Sequence, residues 1–395
     1  MSLLAEQPKQ LTGREECLLL QRALGRREAP AIRLKLAQLH NRLDAFAEAI
    51  ALLDAAGTPT DFVTARTLFT ALMGLDGREN VERAVQVAEL GETLADCDFI
   101  RAEALEIQAE ALLRLDEDVR AEALLERVLE LDRSNSAALR LLSGLWLERG
   151  ETDRVLALAQ DIEASGSAHS QLLGIITLAL AQRGDPASAR ALVGLDRFLF
   201  TAMPPAPEGW PDLPSFHADL ARELFGSPGL RNGRHGTASV ESLRVDEPAT
   251  AATPAFRALQ QLMVDHVSRT VAELPTAGHP WLQMLPAGAH LRMWSIMTGA
   301  EGWERWHMHP LGWATGGYYV EVPETVQLGN SSAGCLEFGL PDHRIGQQAA
   351  EAFGSQLVRP VPGLLTLFPS HAHHRTHPHG SPGRRICVAF DLIPD

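Results

Sequence analysis

The stretch Trp306-His307-Met308-His309-Pro310 decides the reading of this chain. In an extended segment, residues i and i+2 point to the same face, so His307 and His309 project together. Two imidazoles on one face begin a metal site, because imidazole suits Fe, Zn, Cu and Ni. A third ligand must then come from a distant strand. The stretch FPSHAHHRTHPHG, starting at Phe368, offers His371, His373, His374, His377 and His379. Composition does not choose among them. A His-rich loop can also be a solvated surface, and a pair of strand histidines can be buried and merely hydrogen-bonded. The arginine that follows, Arg385, opens a final apolar run and adds a fixed cation to the set.

Around this stretch the pattern is that of short strands. Runs at 289–297, 303–309, 315–322, 334–339, 363–368 and 385–392 are β-prone or alternating, and Gly and Pro punctuate them. Such spacing suits an antiparallel jelly roll. Upstream, helices are expected at 216–225 and about 254–274, with a Gly/Ser/Asn-rich loop between them. That loop (227–238) and the segment 340–356 are candidate lids. Residues 201–215, TAMPPAPEGWPDLPS, are Pro-rich and read as a boundary.

The first half follows a different rule. Residues 14–196 are rich in Ala, Leu, Glu and Arg, which are good helix formers. Apolar residues recur at helical spacing, as in Ala109, Leu112, Leu113, then Ala121, Leu124, Leu125, Val128. Asp116, Gly150 and Gly184 repeat at one turn position, each followed five residues later by Ala121, Val155 or Ala189. This is a 34-residue period, that of a tetratricopeptide (TPR) repeat. Residues 111–135 look like one such unit, and 39–57 and 71–89 like degenerate copies. A plain helical bundle is the alternative. A repeat array of this kind offers a concave face for a protein or peptide, a dimerisation surface, or a scaffold.

Composition bounds the rest. The chain has 395 residues, 45% of them hydrophobic, which is enough for two or three packed domains. The net charge of −15, with no basic patch, argues against nucleic-acid binding. Cys17, Cys97, Cys335 and Cys387 form no CxxC pair, which suits a reducing compartment. There is no basic-then-apolar leader and no apolar run of roughly 20 residues. A cytoplasmic protein with no membrane association is expected. Thirteen of the 15 histidines lie after residue 200, and the only lysines are Lys9 and Lys35. A buried anion in the second half must therefore meet Arg, His, a hydroxyl or backbone N–H groups.

With these motifs in view, residues from about 205 to 395 resemble the 2-oxoglutarate/Fe(II)-dependent oxygenase family of bacteria and phages. That family's core runs H-x-H-P, S-G-V-Y-Y-V, F-P-S-x-x-x-H-x-x-x-P and R-x-S-I-A-F-N. This chain reads HMHP (307–310), TGGYYV (315–320), FPSHAHHRTHP (368–378) and RICVAFD (385–391). Trp294 and the stretch Gly334 to Phe338 also fit. Many members carry N-terminal TPR repeats.

The resemblance implies an α+β multidomain chain. A TPR-like helical solenoid would span 1–196, a Pro-rich linker 197–215, and a double-stranded β-helix (jelly roll) with preceding helices 216–395. It implies Fe(II) and 2-oxoglutarate as cofactors, with His307, His309 and His374 as metal ligands. Arg385 would take the distal carboxylate of 2-oxoglutarate, since a guanidinium binds it bidentately and stays charged when buried. Arg385 is preferred over Arg384 because it shares a strand face with Cys387, Ala389 and Asp391, opposite bulky Ile386, Val388 and Phe390. Tyr319 could add a hydroxyl, or simply pack in the core. The usual oxygenase triad has a carboxylate two residues after the first His. His309 stands there, so either three imidazoles bind iron or one of the pair lies outside the coordination sphere.

The implied activity is hydroxylation coupled to decarboxylation of 2-oxoglutarate, on a protein or peptide recruited partly by the array. Alternatives are a small-molecule hydroxylase with dimerising repeats, an inactive TPR adaptor, or a metal enzyme that needs no 2-oxoglutarate. A homodimer stays open.

Overall fold

The computed structural model describes residues 11–233, 237–248, 253–275 and 278–395. Three of the residues expected in the loop 227–238 lie outside this set. The first half is a run of helices: α1 (Gly13–Arg26), α2 (Pro30–Arg42), α3 (Phe46–Asp54), α4 (Phe62–Met73), α5 (Arg78–Thr93), α6 (Asp98–Arg114), α7 (Asp118–Leu131), α8 (Ser136–Glu148), α9 (Thr152–Ala164), α10 (Ser170–Gln182) and α11 (Pro186–Val193).

The 34-residue period is visible as a repeated chain reversal. Asp116, Gly150 and Gly184 all have positive φ (62°, 72° and 90°). After each, the next N–H reaches back to a carbonyl in the last helical turn: Glu117 to Leu112 (3.0 Å), Glu151 to Trp146 (2.8 Å) and Asp185 to Leu180 (2.9 Å). This is a left-handed helix end, which glycine adopts without a Cβ penalty and Asp tolerates. Ala121, Val155 and Ala189 are each 0% exposed, where a small or branched side chain lets the paired helices close. The degenerate copy at α2–α3 keeps the same device, with Asp44 at φ 56° and Ala45 N–H on the His40 carbonyl at 2.9 Å. The first helices of successive pairs (α4, α6, α8, α10) pack along one inner face.

The second half adds a short α12 (Leu195–Phe198), β1 (Phe200–Ala202), α13 (Leu213–Phe225), β2 (Arg231–Asn232), β3 (Ser239–Val245), α14 (Pro254–Ala272), α15 (Pro280–Gln283), β4 (Ala289–Glu304), β5 (Ala314–Glu321), α16 (Glu324–Leu328), β6 (Leu336–Phe338), α17 (Asp342–Ile345), α18 (Gln347–Phe353), β7 (Gln356–Val358), β8 (Leu365–Pro369), β9 (His374–Thr376) and β10 (Arg385–Pro394). The strands form a seven-stranded sheet, β1-β8-β5-β10-β4-β3-β2, and a three-stranded sheet, β7-β6-β9, with every pairing antiparallel. On β10 the alternation is complete: Ile386, Val388 and Phe390 are 0% exposed in the core beneath the large sheet.

Two stretches differ from the sequence reading. The Pro-rich stretch expected as a linker contains β1, which pairs with β8 at the edge of the large sheet. Three residues before the first proline suffice for an edge strand, a place where a neighbouring proline costs no ladder bond. The strand expected at 303–309 stops as β4 at Glu304, and the His pair sits on the loop beyond it.

The halves share core. One apolar cluster joins array residues such as Leu142, Leu172 and Ile175 to Leu336, Phe338, Phe353 and Phe368. Leu173 of α10 packs into the core under the large sheet. The segment read as a lid, 340–356, folds as α17–α18 against α8, α10 and α11. Arg190 of α11 donates to the carbonyls of Ala352 and Phe353 (2.8 and 3.0 Å).

Candidate metal centre

The loop after β4 meets β9 through one antiparallel bridge. His307 N–H donates to the His374 carbonyl (3.0 Å), and His374 N–H donates to the His307 carbonyl (2.9 Å). Residues directly opposed in an antiparallel pair project to the same side. Their ring centroids are therefore only 4.2 Å apart. A further bond, His309 N–H to the Ser370 carbonyl at 3.0 Å, keeps the loop extended for two more residues. His309 consequently joins the same face, 5.2 Å from each of the other rings. One ring nitrogen from each histidine lies within 4.8 Å of one from each of the others.

The hydrogen bonds decide which nitrogen is free. His307 Nδ1 lies 2.7 Å from the Arg305 carbonyl, and His374 Nδ1 lies 2.9 Å from the Ala372 carbonyl. His309 Nδ1 lies 2.8 Å from Asp391 Oδ1. Carbonyls only accept, so Nδ1 of His307 and of His374 carries a proton, and in the neutral ring Nε2 keeps a lone pair; at His309 the Asp391 carboxylate faces Nδ1. This is the arrangement by which outer groups orient metal-binding imidazoles. Burial pushes the pKa of His307 down and that of His374 well down, which keeps both rings neutral. Burial alone would raise Asp391, but the His309 ring, the Thr315 hydroxyl and Arg292 outweigh it and hold the carboxyl below its ordinary range.

These rings line one end of a cavity between the two sheets. Its walls include Trp294, Ile296, Tyr319, Leu336, Phe368, Thr376, Arg385 and Cys387. Trp294 stacks on His309 (5.6 Å, 23°), and Phe368 meets His374 edge-on (5.1 Å). Gly316 leaves room where a Cβ would strike the Thr366 carbonyl and the Phe390 ring.

Arg385 is 3% exposed. Its guanidinium donates to the Gly334 carbonyl (3.1 Å) and the Thr376 hydroxyl (3.0 Å), and no carboxylate of the described residues lies within 4.0 Å of it. Arg384 points the other way and pairs with Glu321 at the surface (2.8 Å). Tyr319 is buried beside Arg385, and burial first of all raises its pKa, so its phenol stays protonated. Burial pushes the Cys387 thiol up to about 12, so it is no thiolate ligand.

Of the five histidines offered by the distal stretch, only His374 reaches the cluster. His371 bonds the Leu192 carbonyl of α11 (3.0 Å), His377 bonds Glu337 (2.6 Å), and His379 bonds Ser381 (3.1 Å). His373 is buried with its ring against α10, and burial lowers its pKa to about 3. Asp391 was visible to sequence reasoning only as a face-mate of Arg385. Strand alternation had already placed it inward, and an inward acid opposite a His-rich loop was the available signal.

Residues 292–391 match the model of the family described as "Putative 2OG-Fe(II) oxygenase". No curated protein matches the chain. Among solved structures it is similar to YrrB, described as a TPR protein with an unusual peptide-binding site (14% identity, 45% of this chain and 91% of that one, TM-score 0.33). It is also similar to a Pseudomonas putida prolyl-4-hydroxylase (14%, 55% and 100%, 0.34). A third is HygX from Streptomyces hygroscopicus, solved with nickel, 2-oxoglutarate and hygromycin B (15%, 52% and 86%, 0.34). By the family match, 292–391 is a 2OG-Fe(II) oxygenase domain, and the chain is a 2-oxoglutarate-dependent oxygenase with Fe(II) and 2-oxoglutarate as its cofactors. No helix among the described residues is long and apolar enough to cross a membrane.

Proposed function

We propose that His307, His309 and His374 hold the iron through Nε2, and that Arg385 takes the distal carboxylate of 2-oxoglutarate, with the Tyr319 hydroxyl beside it. We read the two antiparallel sheets around this site as a double-stranded β-helix (jelly roll). The observation that carries the reading is one cavity lined by three imidazoles whose ring nitrogens converge within 4.8 Å and by a buried guanidinium with no carboxylate partner among the described residues. A buried unpaired cation is costly, and a dicarboxylate that spans from metal to arginine removes the cost. The donor set fits: neutral imidazoles suit iron, and the anionic charge that a ligand carboxylate would bring comes from the co-substrate instead.

Fe(II) with the 2-oxo acid supplies oxidative decarboxylation to succinate, coupled to hydroxylation of a C–H bond. The chain's own residues do the positioning. Arg305, Ala372 and Asp391 fix the ring tautomers, Arg385 and Thr376 set the far end of the co-substrate, and Trp294, Ile296, Leu336 and Phe368 keep water out.

The substrate we propose is a protein or peptide segment held partly by the helical array. The array supports this by its repeated inner face along α4, α6, α8 and α10. A small-molecule substrate is favoured by a different observation. The end of that inner face next to the metal centre is already filled, with Arg344 Nη1 3.6 Å from where a Gly144 Cβ would be.

Succinate formation from 2-oxoglutarate by the purified protein with Fe(II) tests the site. Wild type should turn over and His374→Ala should not. A wild type with neither turnover nor iron-dependent binding of 2-oxoglutarate would sink the reading. Peptides that raise succinate yield and gain oxygen by mass would separate the two substrate classes.

A further inference from the structure

Glycine in the middle of a helix is unfavourable, yet α10 carries Gly174 in its second turn. The space around it explains the choice. A Cβ at Gly174 would lie 2.5 Å from Met308 Sδ, 3.5 Å from Met308 Cε and 3.6 Å from His373 Cε1. Both neighbours belong to the segments that carry the imidazole cluster. Met308 lies between His307 and His309, and His373 precedes His374. In extended backbone, alternate side chains point to opposite faces. While His307, His309 and His374 face the cavity, Met308 and His373 face the array, and both land on the same helix position.

Three further contacts pin the same junction. Ser170, at the start of α10, donates its hydroxyl to the Gly312 carbonyl (2.5 Å). His371 bonds the Leu192 carbonyl of α11 (3.0 Å). Leu173 is 1% exposed in the core beneath the large sheet. The loop 305–313 and the stretch 370–374 are joined to each other by the His307–His374 bridge and by the His309–Ser370 and Ser370–Trp313 backbone bonds. These bonds fix the backbones on the cavity side, and the seat of Met308 and His373 on α10 fixes the same two segments from the opposite side.

We propose that α10 is a structural wall of the metal centre and that Gly174 is a positioning residue, whose missing side chain seats Met308 and His373 and so sets the spacing of the three imidazoles. The inference rests on the assignment of those imidazoles as metal ligands. The helical array then acts on the chemistry through its last helix pair, whatever else its inner face binds.

The test is direct metal binding by the full-length protein, using Ni(II) and Fe(II) in titration calorimetry without co-substrate, for wild type, Gly174→Val, and Gly174→Val combined with Met308→Ala. Valine is a better helix former than glycine, so propensity alone predicts unchanged or higher thermal stability. The expected result is helix content like wild type by circular dichroism, about tenfold weaker metal binding in Gly174→Val, and recovery of most of that loss in the double variant. If Gly174→Val fails to fold, the double variant decides: a folded protein with wild-type metal affinity supports the proposal, and an unfolded or metal-deficient one overturns it. Wild-type affinity in Gly174→Val, or no recovery in the double variant, also overturns it. A wild type that binds no metal would instead remove the ligand assignment on which the inference rests.

Discussion

Asp391 Oδ1 stands 2.8 Å from His309 Nδ1, both side chains nearly buried, so a carboxylate from the last strand orients an imidazole on a loop after β4. The position two residues after the first His, where the usual triad has an acid, is His309. With the proposed ligand set, the acid stands behind His309 instead. Replacing an outer carboxylate of this kind commonly weakens metal binding by about 10–100-fold. Asp391→Ala should fall in that range by Ni(II) titration, with Asp391→Asn milder because it can still accept from Nδ1–H. Metal affinity like wild type in Asp391→Ala would show that His309 needs no such partner.

Arg385→Ala should act at the other end of the cavity. Losing a two-pronged charge-assisted contact to a carboxylate costs about 3 kcal/mol, or about 100-fold. The KM for 2-oxoglutarate should rise by that order while metal binding stays as in wild type. Arg384→Ala, at a surface pair with Glu321, should leave both unchanged within about twofold. Equal effects of the two substitutions would refute the assignment of Arg385.

Separating the halves should fail. Leu336, Phe338, Ile345, Phe353 and Phe368 belong to the cluster shared with the array. Cutting before residue 197 would expose that face and leave the carbonyl partner of His371 absent. Such a fragment is expected to lack a cooperative thermal transition or to aggregate. A fragment with a sharp transition and native metal binding would count against the shared core.

His217 gives a pH signature away from the metal. Its Nε2 lies 2.8 Å from the Tyr318 hydroxyl, and burial lowers its pKa from 6.5 to about 4. The unfolded chain takes up this proton near 6.5 and the folded chain only near 4. Stability from this group is therefore complete above 6.5, falls as pH drops through that window, and levels off below about 4. Urea unfolding at pH 7 and pH 5 should show a smaller loss in His217→Phe than in wild type. Identical losses would mean that folding leaves the His217 pKa unshifted.

Much of this was legible in the chain itself. The 34-residue period is a local property: a left-handed turn at Asp116, Gly150 and Gly184 and a small buried residue five positions on need only neighbours in sequence. The inward face of β10 was also legible, because alternation is local. Arg385, Cys387 and Ala389 line the cavity, and Ile386, Val388 and Phe390 fill the core.

What the tertiary structure alone decided lies between segments far apart in sequence. Five histidines in the distal stretch are chemically equivalent to a reader of composition. The family resemblance singled out His374, but the bridge that puts it directly opposite His307 is a pairing register, a relation between two segments that neither spells out. The seat of Met308 on Gly174 is of the same kind. In the sequence that glycine is a weak point in a helix, and only the packing of a distant loop against it gives the missing side chain a purpose.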